Sequence, residues 1–198
     1  MIYLDSGATT LEKPPEVARA MARAVGTMSS PGRGNYPASQ RAEQTAFACR
    51  EEAAGLFQVP TPDQVVFTSN ATHGLNIAIR SLVRPGGRVA ISGYEHNAVT
   101  RVLHSIPGVE MIVADAPLFA PEKILEGFHS ALRRGVDAVV CNHVSNVFGC
   151  VQPVEAIAQL CRRYNTPLIV DASQSAGILP VTLSDWGAAF VAMPGHKG

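Results

Sequence analysis

From Gln64 onward the chain alternates short apolar runs with longer stretches of helical periodicity, and this alternation most limits what it can fold into. Val65-Val66-Phe67 and residues 88–92, 109–114, 138–142, 168–170 and 190–193 predict strands. Residues 75–83, 97–105, 121–134 and 153–164 predict the helices between them. A turn is expected at 68–74 and another at Pro85-Gly86-Gly87. Strands alternating with helices imply a mainly parallel sheet covered on both faces, a three-layer α/β/α architecture.

The first 60 residues read differently. Ile2-Tyr3-Leu4-Asp5 is a short apolar start, followed by a loop at 6–10. Pro14-Pro15 opens a helix with Val17, Ala18, Met21, Ala22 and Val25 on one stripe. A Gly, Pro and Ser-rich loop at 29–37 carries Arg33, Asn35 and Tyr36, polar groups that could reach a site. Ser39 is expected to cap a long helix over 40–57. The expected division is thus residues 1–60, an N-terminal arm with helices, and residues 61–198, the sheet domain.

Composition narrows the function classes. Apolar residues make up 46% and charged residues 16%, the balance of a globular chain. Net charge is zero and no basic run occurs, which argues against a nucleic-acid surface. No apolar run reaches the ~20 residues of a membrane helix, and no secretion signal precedes the first helix. Cys49, Cys141, Cys150 and Cys161 lack CxxC spacing and read as reduced thiols, which points to the cytoplasm. Neither structural zinc spacing nor HExxH occurs, so no metal is expected.

In open parallel sheets, ligands bind outside the carboxyl ends of the strands. Asp171 falls at the end of one expected strand, and Lys197 follows another. An acid and an amine on one rim suit pyridoxal 5'-phosphate: the lysine forms the Schiff base and the acid holds the pyridinium proton. A helix N-cap is the structural alternative for Asp171, and a solvated surface amine for Lys197. Thr68 to Gly74 offers backbone amides and hydroxyls that could cradle a phosphate, or simply begin a capped helix. His96 reaches the same rim, where an imidazole could stack on a flat cofactor, move a proton or brace its loop. Asn146 could meet a carboxylate or a phenolic oxygen. Asn142 and His143 read as loop scaffolding. GxxxxGK[ST], GxGxxG and GxSxG are absent, against a nucleotide binder or an α/β hydrolase.

Taken in order, these segments resemble the class V aminotransferase family of fold-type I pyridoxal phosphate enzymes, especially its cysteine desulfurase and selenocysteine lyase branch. The resemblance rests on Tyr3-Leu4-Asp5-Ser6-Gly7-Ala8-Thr9-Thr10, Ser30-Pro31-Gly32-Arg33-Gly34, Phe67-Thr68, Ala71-Thr72, Leu75-Asn76 and Glu95-His96-Asn97. It continues through His143-Val144-Ser145-Asn146-Val147 with Gly149, Val170-Asp171 with Gln174, and Gly195-His196-Lys197.

The resemblance implies that Lys197 carries the cofactor and moves the α-proton, and that Asp171 pairs with the ring nitrogen. By the same likeness Gln174 touches the phenolic oxygen and His96 stacks on the ring. Thr72, the backbone at Ala71, and His196 serve the phosphate, and Asn146 faces the substrate carboxylate. The implied reaction takes L-cysteine to L-alanine with sulfur passed to an enzyme thiol. Within the family an aminotransferase, a selenocysteine lyase, an epimerase or a non-catalytic homologue stays open. A homodimer and a sulfur-acceptor protein are the implied partners.

Three positions depart from the family pattern. Pro194 stands where a small hydroxyl residue is usual, Asn70 where glycine is, and His73 where an acid is. In the family about half the protein follows the lysine and supplies a further strand, a small domain, a substrate arginine and the sulfur-accepting cysteine. The resemblance therefore implies a truncated large domain, with residues 1–198 alone binding the cofactor poorly and not turning over cysteine.

Overall fold

The computed structural model describes residues 2–198. It forms two compact units, the first ending at Phe67 and the second running Thr68–Gly198. In the first, α1 (Pro15–Thr27) and α2 (Pro37–Phe57) both begin with proline, whose missing N–H costs a helix nothing in its first turn. Arg41 of α2 donates to the Thr27 carbonyl through Nε and Nη2 at 3.1 and 3.0 Å, satisfying the open end of α1. Tyr3 closes the N-terminal loop by donating its hydroxyl to the Thr9 carbonyl at 2.8 Å.

Two expectations fail here. Ser39 does not cap α2: it lies inside the helix, buried, and donates its hydroxyl to the Ser30 carbonyl at 2.9 Å. Pro37 fits the first turn and starts the helix three residues earlier than expected. Nor do residues 65–67 form a strand. They follow a 3-10 turn, Pro62–Gln64, and pair with no strand among the described residues, and Val66 and Phe67 stay exposed. An apolar run alone does not make a strand without a ladder partner for its backbone groups.

The second unit holds a five-stranded sheet in the order β2-β1-β3-β4-β5, every neighbouring pair parallel. The strands are β1 (Arg88–Ser92), β2 (Glu110–Ala114), β3 (Ala138–Asn142), β4 (Leu168–Asp171) and β5 (Phe190–Ala192). The connecting helices are α3 (Ala71–Leu82), α4 (Asn97–His104), α5 (Pro121–Arg133), α6 (Val154–Arg163) and the short α7 (Leu183–Trp186). The sequence expectation placed the turn through Gly74. In fact α3 starts at Ala71, because Asn70 caps it: its Oδ1 accepts the His73 N–H at 2.8 Å. The short α7 has too few residues for a periodic signal and was not expected.

Period-two alternation sorts the strand side chains between two faces. Val89, Ile91, Val140 and Ile169 share one apolar cluster with Leu75 and Ile79 of α3 and Val99 and Leu103 of α4. Helices α5 and α6 pack on each other and on the sheet, burying Phe128, Leu132, Ile157 and Cys161. In β2, Met111 packs against the α3–α4 cluster while Ala114 abuts Gly127 of α5, so helices cover both faces. The strand order reverses between β1 and β3, and there the loops diverge and leave a crevice at the carboxyl rim.

Candidate active site

A cleft of about 160 Å³ opens at that rim, lined from the loops after β1, β3, β4 and β5 and from the start of α3. All eight residues singled out from the sequence line it: Ala71, Thr72, His96, Asn146, Asp171, Gln174, His196 and Lys197. The fold brings them together over a sequence span of more than a hundred residues because each follows a strand end or opens a helix on one rim.

Asp171 is the last residue of β4 and only 5% exposed. Its Oδ1 accepts the Ser173 N–H at 2.9 Å, an Asx turn that aims the carboxyl and stops the strand. Its main-chain carbonyl accepts the His143 N–H at 2.9 Å. No helix begins after Asp171, so the helix-cap alternative does not hold: the carboxyl closes a turn and borders the cleft. Lys197, half-buried, borders the same cleft from beyond β5. The segment carrying it folds back over Gly177, which adopts φ +82°; a Cβ there would stand 2.9 Å from the backbone of Gly198. Glycine at 177 thus permits the close approach that keeps Lys197 near β4.

His96 caps α4 with its ring: Nδ1 accepts the Ala98 N–H at 3.1 Å. The neutral imidazole therefore carries its proton on Nε2. Asn70, which departs from the family pattern, lines the cleft beside Ala71 as the cap of α3. Pro194 lines it too.

Three features escaped the sequence reading. Asn142 is more than scaffolding: it lines the cleft, and its Nδ2 donates to the Tyr94 carbonyl at 2.5 Å. Its backbone N–H donates to Glu95 Oε1 at 2.9 Å. Glu95 also accepts the Ser92 hydroxyl at 2.5 Å, and burial pushes its carboxyl up to about 8. Leu75, Ala98 and Val144 give the cleft apolar wall. A glutamate beside a strand end carries no period or motif of its own, so only the packing reveals it. His143 points away from the cleft. It is buried against Trp186 in an edge-to-face contact at 5.0 Å between ring centres, and burial lowers its pKa. Asn35 and Tyr36 engage within the first unit, accepting from Gln40 at 2.6 Å and bonding Ser29 at 2.8 Å. Among the described residues no group of three or more His, Cys, Asp or Glu is arranged to hold a metal ion. Among the described residues no helix is long and apolar enough to cross a membrane.

The family model for "Aminotransferase class-V" matches residues 2–198. The chain belongs to the class-V aminotransferase family. It is 32% identical to the cysteine desulfurase IscS of Serratia proteamaculans (strain 568), over 99% of this chain and 50% of that protein. It is equally 32% identical to a probable cysteine desulfurase of Methanothermobacter thermautotrophicus, over 100% of this chain and 50% of the other. Among solved structures, an apo cysteine desulfurase from Thermococcus onnurineus NA1 superposes with a TM-score of 0.87 at 26% identity, covering 100% of this chain and 50% of that one. The structure described as SspA in complex with cysteine superposes with a TM-score of 0.85 at 25% identity, covering 100% and 58%. The fold is therefore that of the pyridoxal phosphate-dependent class-V enzymes, and the chain spans about half the length of the curated relatives it matches.

The donor set fits the family's cofactor. A buried carboxylate, an amine, an imidazole and the N-terminal amides of α3 surround one cleft, so acid, base, flat face and anion cradle are all present.

Proposed function

We propose that this chain supplies the cofactor-holding half of a cysteine desulfurase-type active site. The observation that carries the reading is the meeting of Asp171, Lys197 and His96 on one cleft at the switch point of the sheet. Bound there, pyridoxal phosphate would serve as the electron sink for chemistry at the α-carbon of an amino acid. Asp171 would hold the proton of the ring nitrogen, and its enclosure keeps water from competing for that bond. Lys197 would anchor the cofactor and move a proton to and from substrate. Thr72 and the amides at Ala71 would receive the phosphate with the positive end of α3 behind them, assisted by His196. His96, fixed at Nδ1, would present its ring to the cofactor face. Gln174 would meet the phenolic oxygen and Asn146 the substrate carboxylate.

L-cysteine is the substrate this reading favours, from the likeness to cysteine desulfurases over the whole chain. Residues 61–198 would be the cofactor domain. Turnover, sulfur transfer to a thiol and an acceptor protein, and homodimer formation would call on residues beyond the half shared with those relatives. The cysteines support a cytoplasmic setting: all four are free, and Cys141, Cys150 and Cys161 are buried.

The test is chemical. The chain is incubated with pyridoxal phosphate, reduced with borohydride, digested and mapped by mass spectrometry. Label on Lys197 alone among the three lysines supports the reading. Equal label on Lys13 and Lys123, or none at Lys197, overturns it for this chain.

A further inference from the structure

Glu95 has no part in that reading, yet its carboxyl is sealed against the site. Oε1 accepts the Ser92 hydroxyl at 2.5 Å and the Asn142 N–H at 2.9 Å. Oε2 is buried with no hydrogen-bond partner among the described residues, and so is Asn142 Oδ1. The Tyr94 carbonyl fixes which way round the Asn142 carboxamide sits, since only its nitrogen can donate there. Two buried acceptors on adjoining residues lack a donor, and a charge on Oε2 would go unanswered.

The groups acting on the carboxyl are the Ser92 hydroxyl and backbone amide of β1, the Asn142 amide of β3 and the Asp171 carboxyl of β4. The Cys141 thiol of β3 also senses it, and Tyr94 and His96 flank it in the chain. None of the groups acting on it is a lysine or arginine. Neighbouring carboxyls resist ionising together. Asp171 has the Ser173 N–H and borders the cleft, whereas Glu95 is enclosed. The enclosed, partly unpartnered carboxyl of Glu95 is the one that keeps a proton.

We propose that Glu95 is a positioning residue that stays a neutral acid and latches the His96 loop to the end of β3. The latch is defined by this chain alone, while its bearing on a cofactor rests on the function proposed above. Burial, which pushes the group up to about 8, is in keeping with it.

The experiment uses the chain without cofactor, so its outcome is independent of the Lys197 labelling. Infrared difference spectra are recorded between pH 6 and 10 for the parent and for Glu95→Gln. Amide hydrogen exchange is followed in the parent, Glu95→Gln and Glu95→Ala. The parent is expected to show the carbonyl stretch of a protonated acid that fades with a midpoint near pH 8 and is absent from Glu95→Gln. Glu95→Ala is expected to speed exchange at the Asn142 and Ala98 amides about tenfold, while Glu95→Gln stays within about threefold of the parent. A band missing from the parent at pH 6, a band that survives in Glu95→Gln, or unchanged exchange in Glu95→Ala overturns the proposal. Should Glu95→Ala not fold, the Glu95→Gln spectra and exchange decide it.

Discussion

Asn142 and Asp171 stand opposite each other in the parallel register at the carboxyl ends of β3 and β4. Each is tied down from another element or turn: Asn142 through Glu95, Asp171 through Ser173. The pairing places an amide beside a carboxyl on the rim of the cleft and makes both positions sensitive to strand register.

Substitution at Asp171 separates charge from geometry. Asp171→Asn keeps an oxygen for the Ser173 N–H, so stability is expected to change by less than about 0.5 kcal/mol. Asp171→Ala removes that bond and is expected to cost about 1 kcal/mol. Both should weaken pyridoxal phosphate binding at least about tenfold, since a charge-assisted bond is lost in each. Absorbance titration and thermal denaturation check this, and full affinity in Asp171→Asn would remove the role given to the carboxylate.

Gly127 is where α5 touches the sheet. A Cβ there would lie 3.0 Å from both Cα and Cβ of Ala114, inside contact distance of strand backbone that cannot step aside. Gly127→Ala is expected to destabilise by about 1–3 kcal/mol. Gly26, near the end of α1, has nothing within 4 Å, so Gly26→Ala is expected to be neutral or to stabilise by up to about 1 kcal/mol. Urea unfolding of the two variants side by side gives the comparison.

The cysteines should differ sharply in reactivity. Burial pushes Cys161 up to about 12 and Cys141 well above an ordinary thiol, so both stay protonated at neutral pH. Cys150 is buried as well, and only Cys49 is exposed. An aromatic disulfide reagent at pH 8 is expected to titrate one thiol rapidly in the native chain and all four in denaturant. Fast reaction of two or more in the native chain would contradict the packing.

Stability should fall as pH rises toward 8. The Glu95 carboxyl goes from 4.5 in the unfolded chain to about 8 in the folded one, so between those values the folded state holds the extra proton. Its contribution is complete below about pH 4.5 and lost through about pH 8, at most about 1.4 kcal/mol per pH unit. Glu95→Gln cannot titrate, so its stability relative to the parent is expected to improve steadily from pH 5 to 8. Denaturant midpoints across that range test the sign; a constant difference would show that the carboxyl titrates normally.

Much of the fold is legible in the chain because the signals are local. Apolar runs of the right length gave β1 and β3 to the residue, and helical stripes gave α4 and α5 to within a residue at either end. The same reasoning misjudged residues 65–67, because strand formation depends on a partner for the backbone and not on apolar character. It also placed the cap of α2 at Ser39, where proline two residues earlier and burial of the serine decided otherwise.

By itself the sequence determined the alternation of elements, and thereby a parallel sheet with Asp171 and Lys197 delivered to one rim. Only the tertiary structure decided that all eight candidates share a single cleft, that His143 turns away toward Trp186, and that Glu95 is enclosed beneath Asn142. The physical reason is range. Propensity, periodicity and capping act over a few residues, whereas burial, field and register depend on neighbours far apart in the chain, such as Glu95 and Asn142.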